Sequence, residues 1–296
     1  MMKKEELKLT QDWDKTFPKS DKVDHCKVTF VNRYGITLAA DMYSPKEAEG
    51  KLPAIAVCGP FGAVKEQCAG LYAQTMAERG FLTIAFDPSF TGESGGNVRY
   101  MASPDINTED FMAAVDFLSL NEKVDPERIG IIGSSAGGHL TLLAANNDGQ
   151  FDTQAYSNVS SHVKCAVDLY GIADIEAVYQ FNLNAIKQGK RPGRSNIPEE
   201  FPECMLLGGL PSDDPVRAKQ AGGINGICEH TCPVLVMHGS DDHVVSIEQS
   251  ELYYHAMNEA GKDVRYYIVD GADHGSDEFF QEETRAVIRD FLNEKL

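Results

Sequence analysis

Short apolar runs alternate with amphipathic runs along most of this chain, and few architectures can bury both. The apolar segments 54–57, 82–86, 128–132, 163–170, 234–237 and 264–269 have the length and continuity of strands covered on both faces. Helical patterns occupy 71–79, 108–120, 136–145, 247–259 and 278–293. The second carries Phe111, Val115 and Leu118 on one face, with Thr108 placed to cap it. Strand followed by helix, repeated, predicts an α/β protein with a mostly parallel central sheet and helices on both faces. Two period-two runs, 27–32 and 36–43, are separated by Arg33, Tyr34 and Gly35 and predict an antiparallel N-terminal hairpin.

Two stretches depart from this rhythm. Residues 1–22 read as a polar, charged lead-in, expected to be loosely ordered, ahead of a single domain over 23–296. Roughly sixty residues at about 173–231 then intervene where a connection of about 2–6 is usual. They include Tyr179, Phe181, Phe201, Met205 and Leu206, so a partly helical, lid-like insertion over the active edge of the sheet is expected. Within it Lys187, Lys190, Arg191 and Arg194 form a basic cluster, which reads as a solvated loop.

The charge balance narrows the partners. A net charge of -18, from 45 acidic and 27 basic side chains, repels phosphate backbones and anionic lipid heads. Nucleic acid and membranes are therefore not expected partners, whereas a small-molecule substrate is. No apolar run has the length of a membrane span, and the N-terminal lysines lack the apolar segment of a signal peptide. The seven cysteines show no paired spacing and read as reduced thiols, so a cytoplasmic location is expected. Oligomeric state is not legible.

The chemistry concentrates at residues 128–140, where Gly133, Ser135 and Gly137 form G-x-S-x-G between a β-branched strand and a helix-forming run. A serine on so sharp a strand-to-helix turn leaves no room for side chains two residues before or after it. The helix N-terminus behind it points free N–H groups at the site. A serine hydroxyl needs a base, and the base needs an acid to fix its tautomer. Downstream, in the order Ser–Asp–His, a strand ends in a loop with Asp241 and Asp242, and another ends in a loop with His274. Loops at the carboxyl ends of parallel strands share one crevice, so the three side chains can converge. Asp270 and Asp273 flank the histidine and are expected to shape its loop. His139 and His238 read as hydrogen-bonded structural groups. His238, Asp241 and His243 lack diagnostic metal spacing, and neither a metal nor a cofactor is expected.

Acyl transfer also requires two N–H donors for the oxyanion. Ala136, after the nucleophile, supplies one. The loop Cys58-Gly-Pro-Phe-Gly after the first central strand supplies the other through Phe61, or alternatively Gly62, with the Phe61 ring as one wall of an acyl pocket.

These segments resemble the α/β-hydrolase superfamily over nearly the whole chain. Residues 59–67, 86–96 and the elbow are similar to its dienelactone hydrolase-related branch. Leu206-Leu-Gly-Gly-Leu-Pro and Gly239-Ser-Asp-Asp-His-Val-Val resemble bacterial acyl esterases of the acetyl xylan and feruloyl type. The superfamily's H-G-x-x-D-x-x-V pattern aligns its acid with Asp242 and its valine with Val245. The resemblance implies an α/β-hydrolase fold and a serine esterase that needs no cofactor. Such an enzyme is expected to act on esters of small or medium acyl groups, acylated sugars among them, through Ser135, Asp242 and His274. Dienelactone hydrolases carry cysteine where this chain has Ser135, and the H-G-G-G motif of another esterase branch is replaced by Cys58-Gly-Pro-Phe-Gly. Two alternatives share the same residues: a peptidase or amidase, and a non-catalytic binding protein on a hydrolase scaffold.

Overall fold

The computed structural model describes residues 5–147, 162–189 and 195–296. Among these, eight strands form one sheet in the order β1-β2-β4-β3-β5-β6-β7-β8. The strands are β1 (Val23–Val31), β2 (Thr37–Pro45), β3 (Leu52–Cys58), β4 (Leu82–Phe86), β5 (Val124–Ser134), β6 (Cys165–Leu169), β7 (Val234–Gly239) and β8 (Val264–Val269). β1 and β2 pair antiparallel, β2 joins β4 antiparallel, and every later pair is parallel. The α/β-hydrolase fold expected from the strand–helix alternation is the fold observed.

Parallel strands buried on both faces explain the continuous apolar runs. In β3, Ala54, Ala56 and Cys58 enter one core cluster, and Ile55 and Val57 enter the other. The first cluster is completed by α2 (Pro104–Ser119), α3 (Ala136–Ala145) and α7 (Glu248–Glu259), through Phe111, Leu142 and Met257. The second is completed by α1 (Cys68–Ala77) and α8 (Glu282–Lys295), through Tyr72, Met76, Ile288 and Phe291.

Thr108 does not cap α2. That helix begins at Pro104 on an extended Ser103, and Thr108 is buried one turn inside it. The overlooked signal was Ser103-Pro104, since proline's fixed φ suits the first helical position and its missing N–H costs nothing there. Residues 5–22 are also fastened more firmly than a polar lead-in suggests. Phe17 is buried, Lys15 Nζ lies 3.0 Å from the buried Asp41, and the Thr10 N–H donates to Glu93. Glu93 in turn pairs with Lys27 and Lys65, whose other partners are Glu66 for both, Asp14 for Lys27 at 3.3 Å, and Asp87 for Lys65 at 2.8 Å. Burial opposes ionisation of Glu93, but the two ammonium groups hold its carboxyl down at about 2. This network ties the chain after β3 to the chain after β4.

Between β6 and β7 the chain forms α4 (Ile175–Lys187), α5 (Pro202–Leu207) and α6 (Pro215–Gln220). Tyr179, Phe201 and Cys204 pack together, and Ile175, Leu207, Ala218 and Ala221 form a second small core. Most of the basic cluster, Lys190 to Arg194, lies outside the described residues.

Candidate active site

β5 delivers Ser135 to the carboxyl edge of the sheet in a conformation that few residues adopt, with φ 56° and ψ -116°. The turn is held by the Ser135 N–H, which donates to the Leu169 carbonyl at 2.9 Å. Its flanking glycines have no substitute. A Cβ at Gly133 would sit 2.0 Å from the Gly137 carbonyl oxygen, and one at Gly137 would sit 2.4 Å from the Cys58 carbonyl oxygen. The second clash also shows that the chain leaving β3 lies directly against the first turn of α3.

The loops after β7 and β8 bring Asp242 and His274 to this serine. His274 Nε2 lies 2.9 Å from Ser135 Oγ, and His274 Nδ1 lies 2.8 Å from Asp242 Oδ2. Asp242 rather than Asp241 makes this contact. The Asp242 side chain is fully buried and its Oδ1 accepts the N–H groups of Val244 and Val245, both at 2.8 Å. Asp241 is exposed. Burial alone would raise the Asp242 carboxyl, but His238, His274 and the Val245 N–H together hold it well below the ordinary carboxylate range. An ionised acid therefore faces Nδ1, leaving Nε2 free to take a proton from Ser135.

Ala136 opens α3, so its N–H belongs to the first turn, where no intrahelical partner exists. Phe61 stands in a turn after β3 with its ring 61% exposed, and Gly62 follows at φ 79°. The approach of Gly137 to Cys58 and Gly59 sets this turn beside the elbow. Among the described residues no three His, Cys, Asp or Glu side chains are grouped to hold a metal. His243 is turned to Asp273, away from any such role.

The BD-FAE family matches residues 40–257, well over half of the sequence and including the elbow and the acid loop. The chain belongs to the BD-FAE family. It is an esterase-like protein of the α/β-hydrolase fold. The solved structure of the Pseudomonas aeruginosa protein PA2218 superposes on this BD-FAE chain with a TM-score of 0.69 at 37% identity, over 99% of this chain and 100% of that one. In sequence, 144 residues are 68% identical to PA2218, covering 48% of this chain and 39% of that protein. The Escherichia coli protein YcjY is 44% identical over 126 residues, 41% of each. The alignments thus span about two fifths of these curated relatives. A carbohydrate esterase from gut microbiota shares the fold, with a TM-score of 0.73 at 24% identity over 94% of this chain and 98% of its own.

Several residues of the BD-FAE site escape a reading of motifs. Tyr170, after β6 with φ 49°, packs edge-on against the His274 ring at 4.7 Å between centroids. Asp273 Oδ1 accepts the N–H groups of both His243 and His274, cross-linking the acid loop to the base loop. His139 Nε2 bonds the Ala221 carbonyl, seating the segment after α6 on the elbow helix. His238 Nε2 lies 3.1 Å from Asp242 Oδ2. Position 139 and position 238 were legible as buried polar groups; their partners come from other elements and leave no local signal.

Proposed function

We propose that this BD-FAE chain is a serine esterase that forms an acyl-enzyme on Ser135. The observation that carries the reading is the continuous hydrogen-bond chain Ser135–His274–Asp242 ending on a strained elbow serine. Ser135 Oγ attacks the ester carbonyl as His274 Nε2 takes its proton, and Asp242 stabilises the imidazolium. The oxyanion is received by the N–H groups of Ala136 and Phe61, in a turn that the Lys65–Asp87 pair helps to hold. His274 then protonates the departing alcohol, and water, activated by the same imidazole, releases the acid. No cofactor takes part.

The substrates are esters of small or medium acyl groups, acylated sugars included, the sugar element resting on the sequence resemblance to acetyl xylan and feruloyl esterases. Residues 173–231 act as a lid-like insertion within one domain. The His139–Ala221 bond and the close contact of Gly223 with Leu142 on α3 support that placement. The unpaired thiols fit a reducing, cytoplasmic setting.

Hydrolysis of p-nitrophenyl esters from acetate to decanoate, and of acetylated xylo-oligosaccharides, tests the reading. We expect turnover by wild type, none by Ser135→Ala, and an optimum at short or medium chains. Folded wild type that cleaves no ester overturns it, and preference for matched anilides would move the assignment to an amidase.

A further inference from the structure

The acid of the triad carries a second imidazole. His238 Nε2 lies 3.1 Å from Asp242 Oδ2, the same oxygen that His274 Nδ1 reaches at 2.8 Å. His238 Nε2 also lies 3.0 Å from the Val245 carbonyl oxygen. Both neighbours are pure acceptors, so Nε2 carries the proton, which it donates to the Val245 carbonyl and shares with Asp242 Oδ2 as the longer contact. On the far side of the ring, Nδ1 lies 2.6 Å from the Ser250 hydroxyl, its hydrogen-bond partner from α7. The side chains of His238 and Asp242 are both fully buried, so no water competes for these bonds.

We propose that His238 is a positioning residue for the proton relay: its Nε2–H holds Asp242 Oδ2 at His274 and takes up part of that oxygen's acceptor strength. This rests on the esterase reading above. The geometry is specific, because each carboxylate oxygen receives two donors. Oδ1 takes the two backbone N–H groups of Val244 and Val245, and Oδ2 takes two imidazoles. The carboxylate is thereby fixed in plane and direction before substrate binds. Sharing Oδ2 has a second consequence. An oxygen already bonded to His238 stabilises the His274 imidazolium less than an unshared one would, so His274 releases its proton more readily to the leaving alcohol.

Other ionisable groups face His238 from the elements around it. Asp168 on β6 is fully buried behind the ring and interacts with it electrostatically. Its Oδ1 accepts the Gly171 N–H. From α7, Ser250 contacts the ring, and Tyr253 is buried within electrostatic reach of Asp168. Burial keeps Tyr253 neutral, so Asp242, and Asp168 where it is ionised, are the charges that act on His238.

The amides of asparagine and glutamine separate the two halves of the ring. His238→Asn can occupy the Nδ1 position beside Ser250 but leaves Asp242 Oδ2 without its second donor. His238→Gln reaches the Nε2 position and restores it. We expect kcat for p-nitrophenyl acetate to fall about tenfold in His238→Asn with KM little changed, the effect of about one hydrogen bond. The acid limb of kcat/KM should move about half a unit to higher pH, and the Nδ1 proton of His274 should move downfield in the NMR spectrum. His238→Gln should return most of the rate, the pH limb and the resonance towards wild type.

A purely structural histidine would lower activity in both variants and leave the limb and the resonance where they were, which would overturn the proposal. If His238→Asn fails to fold, the kcat of His238→Gln against wild type decides, since a role for the donor requires most of the rate to remain and a purely structural ring predicts its loss. A wild type inert towards every ester would overturn the esterase reading and this role with it. An active wild type whose profile His238→Asn reproduces would overturn this role alone.

Discussion

Replacing Asp242 by asparagine puts the relay under the sharpest test, because the carboxylate accepts from four donors and an amide cannot. Two N–H groups reach Oδ1 at 2.8 Å, and His274 and His238 reach Oδ2 at 2.8 and 3.1 Å. An asparagine that keeps its oxygen on Val244 and Val245 turns its NH2 towards two imidazole N–H groups. Donor then faces donor, and His274 relieves the conflict by moving its proton to Nε2. That nitrogen lies 2.9 Å from Ser135 Oγ and can no longer accept from it. Loss of the charge-assisted bond alone costs about 1.5–3 kcal/mol, or about one to two decades in rate. The reversed tautomer adds to this, and the equivalent change in a serine-protease triad costs about 10⁴ in kcat. We expect kcat to fall by about 10³–10⁴ on p-nitrophenyl acetate, with KM within a few-fold. Asp241→Asn, at an exposed side chain, should stay within twofold of wild type, about the scatter of a neutral surface change. The stability consequence has a definite sign. The folded-state carboxyl is depressed, so its contribution is present above the ordinary aspartate range and lost only as pH falls below it. A lowered melting temperature in Asp242→Asn should therefore persist from pH 8 to about 4 and shrink only in stronger acid. Retention of more than about a tenth of kcat, or the loss falling on Asp241→Asn instead, would refute the reasoning.

Three further outcomes follow from other parts of the structure. Lys65→Met strips the fully buried Asp87 and the partly buried Glu93 of a cation 2.8 Å away, a change that costs about 3–5 kcal/mol. It should lower the melting temperature by roughly 10 °C, and a drop below about 2 °C in thermal denaturation would refute it. Gly137→Ala drives a methyl into the Cys58 and Gly59 carbonyl oxygens and so displaces the turn that carries Phe61. Esterase assays should show kcat reduced by about 10² or more in a protein whose circular dichroism is native, and a change of less than about threefold would count against the oxyanion assignment. Asp168 is raised to about 7 by burial, against the pull of His238 and the Gly171 N–H. A raised acid stabilises the fold at low pH and loses that contribution as pH climbs from about 4 to about 7, at a slope of up to about 1.4 kcal/mol per pH unit that levels off above it. Melting temperatures from pH 5 to 8 should consequently decline more steeply in wild type than in Asp168→Asn, and parallel slopes would show that Asp168 does not titrate in this range.

The sheet and its helices were legible because their cause is local. Strands buried on both faces must be apolar throughout, so β3, β4 and β7 stand out as unbroken runs, and Gly133 of G-x-S-x-G is demanded by the Gly137 backbone within the same turn, although Gly137 answers to the distant Cys58 carbonyl. The edge strand β8 is half exposed, yet its β-branched and aromatic residues marked it equally well. What the chain does not announce is where polar side chains go once the loops converge. Asp241 and Asp242 are chemically identical neighbours. The turn at Val244 and Val245, which claims Oδ1, and the imidazoles of His274 and His238, which face Oδ2, decide that Asp242 points inward. Thr108 resembles a cap because threonine is a common one, while the helix starts where Pro104 holds φ, after a Ser103 whose side chain makes no capping bond.

The lead-in shows the same limit on a larger scale. Residues 5–22 are polar by composition, and composition alone gives no reason for order. Their order comes from three lysines and several acids brought together from β1, β2, the chain after β3 and the chain after β4. A charge run is solvated unless the fold supplies opposite charges at hydrogen-bond distance, and that depends on pairs far apart in sequence. His238 belongs to the same class. Beside Asp242 in a motif it reads as one more buried ring; with Ser250 on one side and Asp242 on the other, it is aligned with the proton path. Function in this chain is thus written twice, once in short motifs that fix the backbone around Ser135, and once in long-range polar pairs that aim the side chains. Only the first is visible without the fold.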